Sequence, residues 1–182
     1  MENNYKSGFV AIIGRPNVGK STLLNQILEQ KIVITTDKAQ TTRKRIKGIL
    51  TTEDGQIIFI DTPGIHKPLN KLGEYLMDEA KISVPDADLI MFLVDGTEPA
   101  GRGDKWIVDN VIKTSPDIPI LLVMNKMDKI QNTLKVEENL LTYKMLFEQN
   151  LPVVKISAKT GRNKKAVVEA IMKKLPQGEK LY

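Results

Sequence analysis

The sequence predicts an α/β protein: a mostly parallel six-stranded sheet with one antiparallel strand and helices on both faces. Three observations carry that prediction. Near-continuous apolar runs recur at Phe9-Ile13, Leu89-Val94 and Ile118-Val123, as expected of strands buried on both faces of a parallel sheet. Segments with apolar pairs at helical spacing alternate with these runs. Every chemically suggestive motif lies in a loop that follows a strand, the rim at which such sheets bind ligands.

Element by element, Phe9-Ile13 is the first strand, and Ser21-Leu28 a helix with apolar pairs at 23/24 and 27/28. Thr35 to Arg45 is rich in threonine and basic residues, with Ala39 its only apolar residue. Nothing there can anchor to a core, which predicts a mobile loop. Arg45-Thr52 and Gln56-Asp61 flank the turn signal Glu53-Asp54-Gly55 and should pair as an antiparallel hairpin. Leu72-Val84 reads as a helix ended near Pro85, Leu89-Val94 as a buried strand, and Trp106-Ile112 as a helix on which Trp106 packs. Ile118-Val123 is a strand, Leu134-Gln149 a long helix, Val153-Ile156 the last strand and Ala166-Leu175 the last helix.

Composition bounds the function. The 182 residues suffice for one domain with a sizeable core, and 41% hydrophobic with 27% charged residues is ordinary for a globular chain. The absence of cysteine excludes disulfides, thiolate metal sites and cysteine nucleophiles, and is compatible with a reducing cytoplasm. The first residues lack a signal-peptide pattern. No apolar run approaches the ~20 residues needed to span a bilayer. A net charge of +5 suits a polyanionic partner. Two basic clusters, Arg43-Lys44-Arg45-Lys47 and Lys155, Lys159, Arg162, Lys164, Lys165, are candidates for RNA contact.

The most specific signal is Gly14-Arg15-Pro16-Asn17-Val18-Gly19-Lys20-Ser21, followed by Thr22. It fits G-x-x-x-x-G-K-[ST] and lies between a strand and a helix, the context that motif requires. Backbone N–H groups and the helix dipole would face an anion. Lys20 could reach terminal phosphates, and Ser21 could bind Mg²⁺. Asp61-Thr62-Pro63-Gly64 ends another strand. Its carboxylate could hold Mg²⁺ through water opposite Ser21, and the Gly64 N–H could approach a phosphate with no Cβ in the way. In Asn125-Lys126-Met127-Asp128 the chemistry selects a base: a carboxylate accepts two parallel hydrogen bonds, and guanine offers N1–H and the 2-amino group. Adenine would leave Asp128 unpaired, a mismatch worth roughly 10⁴-fold. Asn125 would brace the loop and reach N7, and the Lys126 stem would cover one face of the base. In Ser157-Ala158-Lys159 the Ala158 N–H could meet guanine O6, with Lys159 over the other face.

These motifs, in this order, resemble the translation-factor class of GTPases and within it the Era-type ribosome-assembly GTPases. Lys38-Ala39-Gln40-Thr41-Thr42-Arg43, Asp61-Thr62-Pro63-Gly64-Ile65-His66, the Asn-Lys-x-Asp block and Ile156-Ser157-Ala158 carry the resemblance, which covers essentially the whole chain. It implies a P-loop G domain over residues 1–175 that binds GTP or GDP with Mg²⁺ and hydrolyses GTP. Residues 176–182 would begin an interdomain linker, with the family's KH-type RNA-binding domain absent from the chain. Ser21, Asp61 and Thr42 would ligate Mg²⁺, Thr42 as a switch residue. Asp61 to Ile65 would form the second switch, both loops being released on hydrolysis. Lys20, Thr42, Gly64 and Asn17 would serve catalysis. Ile65 stands where many GTPases orient the attacking water with glutamine, which implies slow unaided turnover. Asn17 implies a K⁺ ion beside the phosphates. His66, the only histidine, is expected to be a loop residue and not a base, and Arg43 is expected to point away.

The implied partners are small-subunit ribosomal RNA and the small ribosomal subunit, reached through the full-length protein. The implied setting is cytoplasmic, with peripheral membrane association, and the isolated domain should be monomeric. Two rival readings remain: the G domain of another ribosome-assembly or tRNA-modifying GTPase, and a non-catalytic RNA-binding module. The base reading has a direct test. Asp128→Asn replaces the acceptor pair with a mixed donor and acceptor, and nucleotide competition should show preference moving from GTP toward XTP.

Overall fold

The structure is a computed structural model that describes residues 4–28, 45–62, 84 and 86–182. Six strands form one sheet: β1 (Lys6–Ile13), β2 (Ile46–Thr51), β3 (Gly55–Ile60), β4 (Leu89–Asp95), β5 (Ile120–Asn125) and β6 (Val153–Lys155). Their order is β2-β3-β1-β4-β5-β6. The β2–β3 hairpin is antiparallel, with a register shift between Ile46 and Gly48, and the other four pairings are parallel. This is the expected sheet. The hairpin turn closes through Thr52, whose N–H donates to the Gly55 carbonyl at 2.8 Å.

Alternation along the buried strands divides the core. On β4, Ile90, Phe92 and Val94 face one apolar cluster, while Leu89, Met91 and Leu93 face another. The first cluster is covered by α2 (Arg102–Asn110) through Ile107 and Val108, and by α3 (Thr133–Lys144) through Val136, Leu140 and Tyr143. The second is covered by α1 (Lys20–Leu28) through Leu23 and Ile27, and by α4 (Lys164–Lys174) through Val167 and Ile171. Burial on both faces is why β3, β4 and β5 carry almost no polar residue before their last position.

Several boundaries differ from expectation. α2 starts at Arg102, earlier than the apolar pattern announced, because the Asp104 side chain accepts the Gly101 N–H at 2.9 Å and caps the first turn. Trp106 packs on the first cluster, as expected. α3 stops at Lys144, short of Gln149. There the chain tightens into turns, with Leu146 N–H on the Tyr143 carbonyl at 3.2 Å, and Phe147 swings edge-on to Phe92 at 6.0 Å between ring centroids. An apolar side chain seeking the core thus ends the helix where periodicity alone would extend it. Residues 176–182, expected to begin a linker, lie along β1 and β3. The Gly178 N–H donates to the Tyr5 carbonyl at 2.9 Å, and Gln56 Oε1 accepts the N–H groups of Leu181 and Tyr182 at 2.9 and 3.0 Å. The expected mobile loop over 35–45 and helix over 72–84 fall, but for their last residues, outside the described residues.

Candidate guanine-nucleotide cleft

Because β1, β3, β4, β5 and β6 are parallel, their carboxyl ends share one rim. β1 has β3 on one side and β4 on the other, so connections leave it in opposite directions and a crevice opens above it. A cleft of about 390 Å³ lies there, walled by Asn17, Gly19, Lys20, Ser21, Thr22, Asn125, Lys126, Asp128, Lys129, Ala158 and Lys159. Residues from three separate stretches of chain thus meet in one place.

The loop after β1 holds two residues on the left side of backbone space, Asn17 at φ 69° and Gly19 at φ 106°. The Gly19 position has no room for a side chain: a Cβ there would lie 2.3 Å from Asn125 Nδ2. At Gly14 a Cβ would come within 2.5 Å of the Leu93 carbonyl oxygen. Both glycines therefore allow the loop to wrap tightly against the ends of β4 and β5. Val18 is buried against the second cluster and pins the loop from beneath.

Lys20 opens α1 and donates to the Gly14 carbonyl at 2.6 Å. Burial holds its pKa below the usual lysine value, with the Asp61 charge opposing and Lys47 adding to that effect. A desolvated ammonium with one carbonyl partner has donors to spare for an anion. The Arg15 side chain turns away from the loop's main-chain amides. Its guanidinium is committed to Asp104 at 3.0 Å and Glu98 at 3.1 Å, so only its main chain is available to a phosphate. Asp104 is fully buried, and burial raises its pKa against the pull of the Gly101 N–H and Arg15.

Asn125 links three loops. Its Nδ2 donates to the Val18 carbonyl and its Oδ1 accepts the Ala158 N–H, both at 2.8 Å. The bracing role is as expected. The Ala158 N–H, expected to face guanine O6, is the one that donates to Asn125 here. Lys126 takes φ 72°, and Met127–Lys129 form one 3₁₀ turn that swings Asp128 back to the cleft. Met127 packs inward beneath that turn. The Ser157 hydroxyl donates to Asp128 Oδ1 at 2.8 Å and fixes the carboxylate. Lys159 lines the wall beside it.

Asp61 and Thr62 follow β3 and are buried. The Asp61 N–H bonds the Arg45 carbonyl at 2.8 Å, and Lys47 Nζ stands 4.0 Å from its carboxylate. Among the described residues, Thr62 Oγ1 is buried without a hydrogen-bond partner. The Thr62 hydroxyl, the buried Asp61 carboxylate and the Ser21 hydroxyl on the cleft wall are hard oxygen donors, the chemistry that suits a hydrated Mg²⁺. Thr42, Pro63, Gly64, Ile65, Arg43 and His66 lie outside the described residues.

Three contributors escaped the sequence reading: Lys129 on the cleft wall, and Asp95 with Thr97 at the end of β4. Asp95 carried the signal that singled out Asp61, an acid closing a buried strand at the same rim.

Comparison with known proteins agrees with this geometry. The family model described as "50S ribosome-binding GTPase" matches residues 9–126. The GTPase Era of Caldanaerobacter subterraneus subsp. tengcongensis is 50% identical over 179 residues, 98% of this chain and 58% of that protein. Among solved structures, an Aquifex aeolicus Era variant bound to GDP·AlF4⁻ is 38% identical with a TM-score of 0.73, over 97% of this chain and 60% of that one. Era in complex with MgGDPNP and nucleotides 1506–1542 of 16S ribosomal RNA is 38% identical with a TM-score of 0.74, over 98% of this chain and 60% of that one. This chain thus spans about three-fifths of the length of these relatives.

The close approach at Gly19 yields a prediction. Gly19→Ala must both strain the backbone at φ 106° and push Asn125 off the Val18 carbonyl. Calorimetric titration with GDP should show affinity reduced by at least about tenfold, with a lowered melting temperature.

Proposed function

The chain belongs to the family of 50S ribosome-binding GTPases, as a G domain of the Era type, and we propose that it binds guanine nucleotides with Mg²⁺ and hydrolyses GTP to GDP and phosphate. The observation that carries this reading is the cleft itself. A desolvated lysine with spare donors and a carboxylate buttressed by Ser157 stand in one 390 Å³ space, one suited to phosphates and the other to a guanine edge.

Each residue has a part in this reading. The main-chain N–H groups of residues 14–22, Pro16 excepted, cradle the phosphates, and Lys20 bonds the terminal ones. Ser21 and Asp61 hold Mg²⁺, with Thr42 completing the set by resemblance. Bound there, the metal would neutralise charge developing on the phosphate oxygens. Asp128 reads the two guanine donors, while Lys126 and Lys159 flank the base. Gly64 contributes an N–H to the terminal phosphate, and Ile65, lacking a hydrogen-bonding group, leaves orientation of the attacking water to other parts of the machinery.

The Era complex with 16S ribosomal RNA supports a role for this chain in small-subunit assembly. We assign RNA specificity chiefly to the part of those relatives that this chain does not span. Action in the cytoplasm accords with this role. The competing readings separate on turnover. Phosphate release from GTP should be measurable for the chain and fall to background in Lys20→Ala. Tight nucleotide binding with no turnover would favour the non-catalytic RNA-binding module.

A K⁺ ion beside Asn17 is a finer proposal, supported by the fixed left-handed backbone at that residue, which puts it on the cleft wall. KCl should raise turnover several-fold over NaCl at equal ionic strength. Asn17→Gly, which can still adopt φ 69° but lacks the amide, should erase the difference. Equal rates in the two salts would remove K⁺ from the mechanism.

A further inference from the structure

We propose that Asp95 is a positioning residue for the nucleotide: it holds the Lys126 ammonium so that the lysine stem stays against the base side of the cleft and slows nucleotide release. The inference rests on the guanine-nucleotide reading above and adds to it a residue that no motif includes.

The two carboxylate oxygens of Asp95 have separate tasks. Oδ1 accepts the Thr97 N–H at 2.9 Å and the Thr97 hydroxyl at 2.6 Å. Oδ2 accepts Lys126 Nζ at 3.0 Å. One oxygen is therefore immobilised by its own turn, and the other is presented to the lysine. Sheet register fixes the approach: Asp95 pairs with Asn125 across β4 and β5, and the Gly96 N–H donates to the Asn125 carbonyl at 2.8 Å. Lys126 then turns through φ 72°, which brings its side chain back over the loop to Asp95.

The loop that carries Asp95 is held from below by α3. The Tyr143 hydroxyl lies 2.7 Å from the Asp95 carbonyl and 3.1 Å from the Glu98 carbonyl. Asn139 Nδ2 donates to the Gly96 carbonyl at 3.0 Å, and Thr142 Oγ1 accepts the Ala100 N–H at 2.8 Å. A carboxylate on so fixed a support is preorganised: the lysine loses its freedom before the nucleotide arrives. Side-chain exposures of 13% for Asp95 and 25% for Lys126 distinguish this pair from the exposed surface pairs that contribute little. Burial raises the Asp95 pKa, but the Thr97 hydrogen bonds and Lys126 outweigh it, so the group stays ionised at neutral pH.

An ion pair that merely fastened β4 to β5 would show in the melting temperature and not in release kinetics that depend on Lys126. Release of a fluorescent GDP analogue labelled on the ribose, with Mg²⁺ present, separates the two. Asp95→Asn and Lys126→Met should each speed release by about five- to fiftyfold, the range set by coupled, partly buried pairs. The doubly substituted protein should release no faster than Lys126→Met alone. Thr97→Val keeps the charge but frees one oxygen, and should give a smaller acceleration that vanishes in the Lys126→Met background. Release from Asp95→Asn within twofold of the parent, or effects that multiply in the double variant, would overturn the proposal. If Asp95→Asn does not fold, Thr97→Val decides, and an unchanged release rate there overturns it equally. A parent protein that retains no analogue would instead sink the guanine-nucleotide reading itself.

Discussion

The two hydrogen bonds of the buried Asn125 side chain hold the cleft together. They bind the main chain of the phosphate loop at Val18 to the main chain of the last loop at Ala158. Asn125 itself ends β5, between β4 and β6 on the rim. Two loops more than a hundred residues apart in sequence are thereby set at fixed separation from the loop that carries Asp128. Asn125 is 3% exposed, so losing either bond would leave a polar group unpaired in a dry environment. The same constraint explains Gly19, where even a methyl group would displace the amide.

The sheet makes that link possible. Parallel strands deliver their following loops to one side, and the crossovers of this topology set β1, β4 and β5 side by side. The two apolar clusters then make the rim rigid from both faces, α1 and α4 on one side and α2 and α3 on the other. A nucleotide site needs such rigidity at its walls.

Much of this was legible in the sequence because the signals were local or repetitive. Apolar runs gave the strands, and the G-x-x-x-x-G-K-S string gave its loop, since a phosphate cradle is built from consecutive amides and needs little from elsewhere. The Asn125 brace was readable for a similar reason, as an amide at the end of a buried strand. What escaped depends on side-chain direction. Nothing in Gly14-Arg15-Pro16 says that the guanidinium turns toward Asp104 and Glu98. Nothing in Ser157-Ala158 says that the Ala158 N–H is engaged by Asn125. Helix α3 was overextended because Phe147 fits the periodicity but gains more by packing on Phe92. Asp95 is not legible because its partner follows another strand, and such pairs appear only once register is known.

The lysines that open the phosphate loop's helix and the guanine loop show how one rim serves two chemistries. Lys126 has a carboxylate partner, so its charge is neutralised locally and its contribution is one of shape and place. Lys20 is also partly buried, and among the described residues its hydrogen-bond partner is a carbonyl, while Asp61 acts on it as a field and not as a contact. Neutralising Lys20 by a protein carboxylate would have made the apo protein more comfortable and the phosphate site weaker, because an incoming anion would have to displace that partner. Leaving it with a carbonyl alone keeps the ammonium under-satisfied, and desolvation strengthens whatever anion meets it. The cleft therefore discriminates by the state of its charges before any ligand arrives: a paired lysine where an uncharged base is to lie, and an unpaired one where phosphates are to lie.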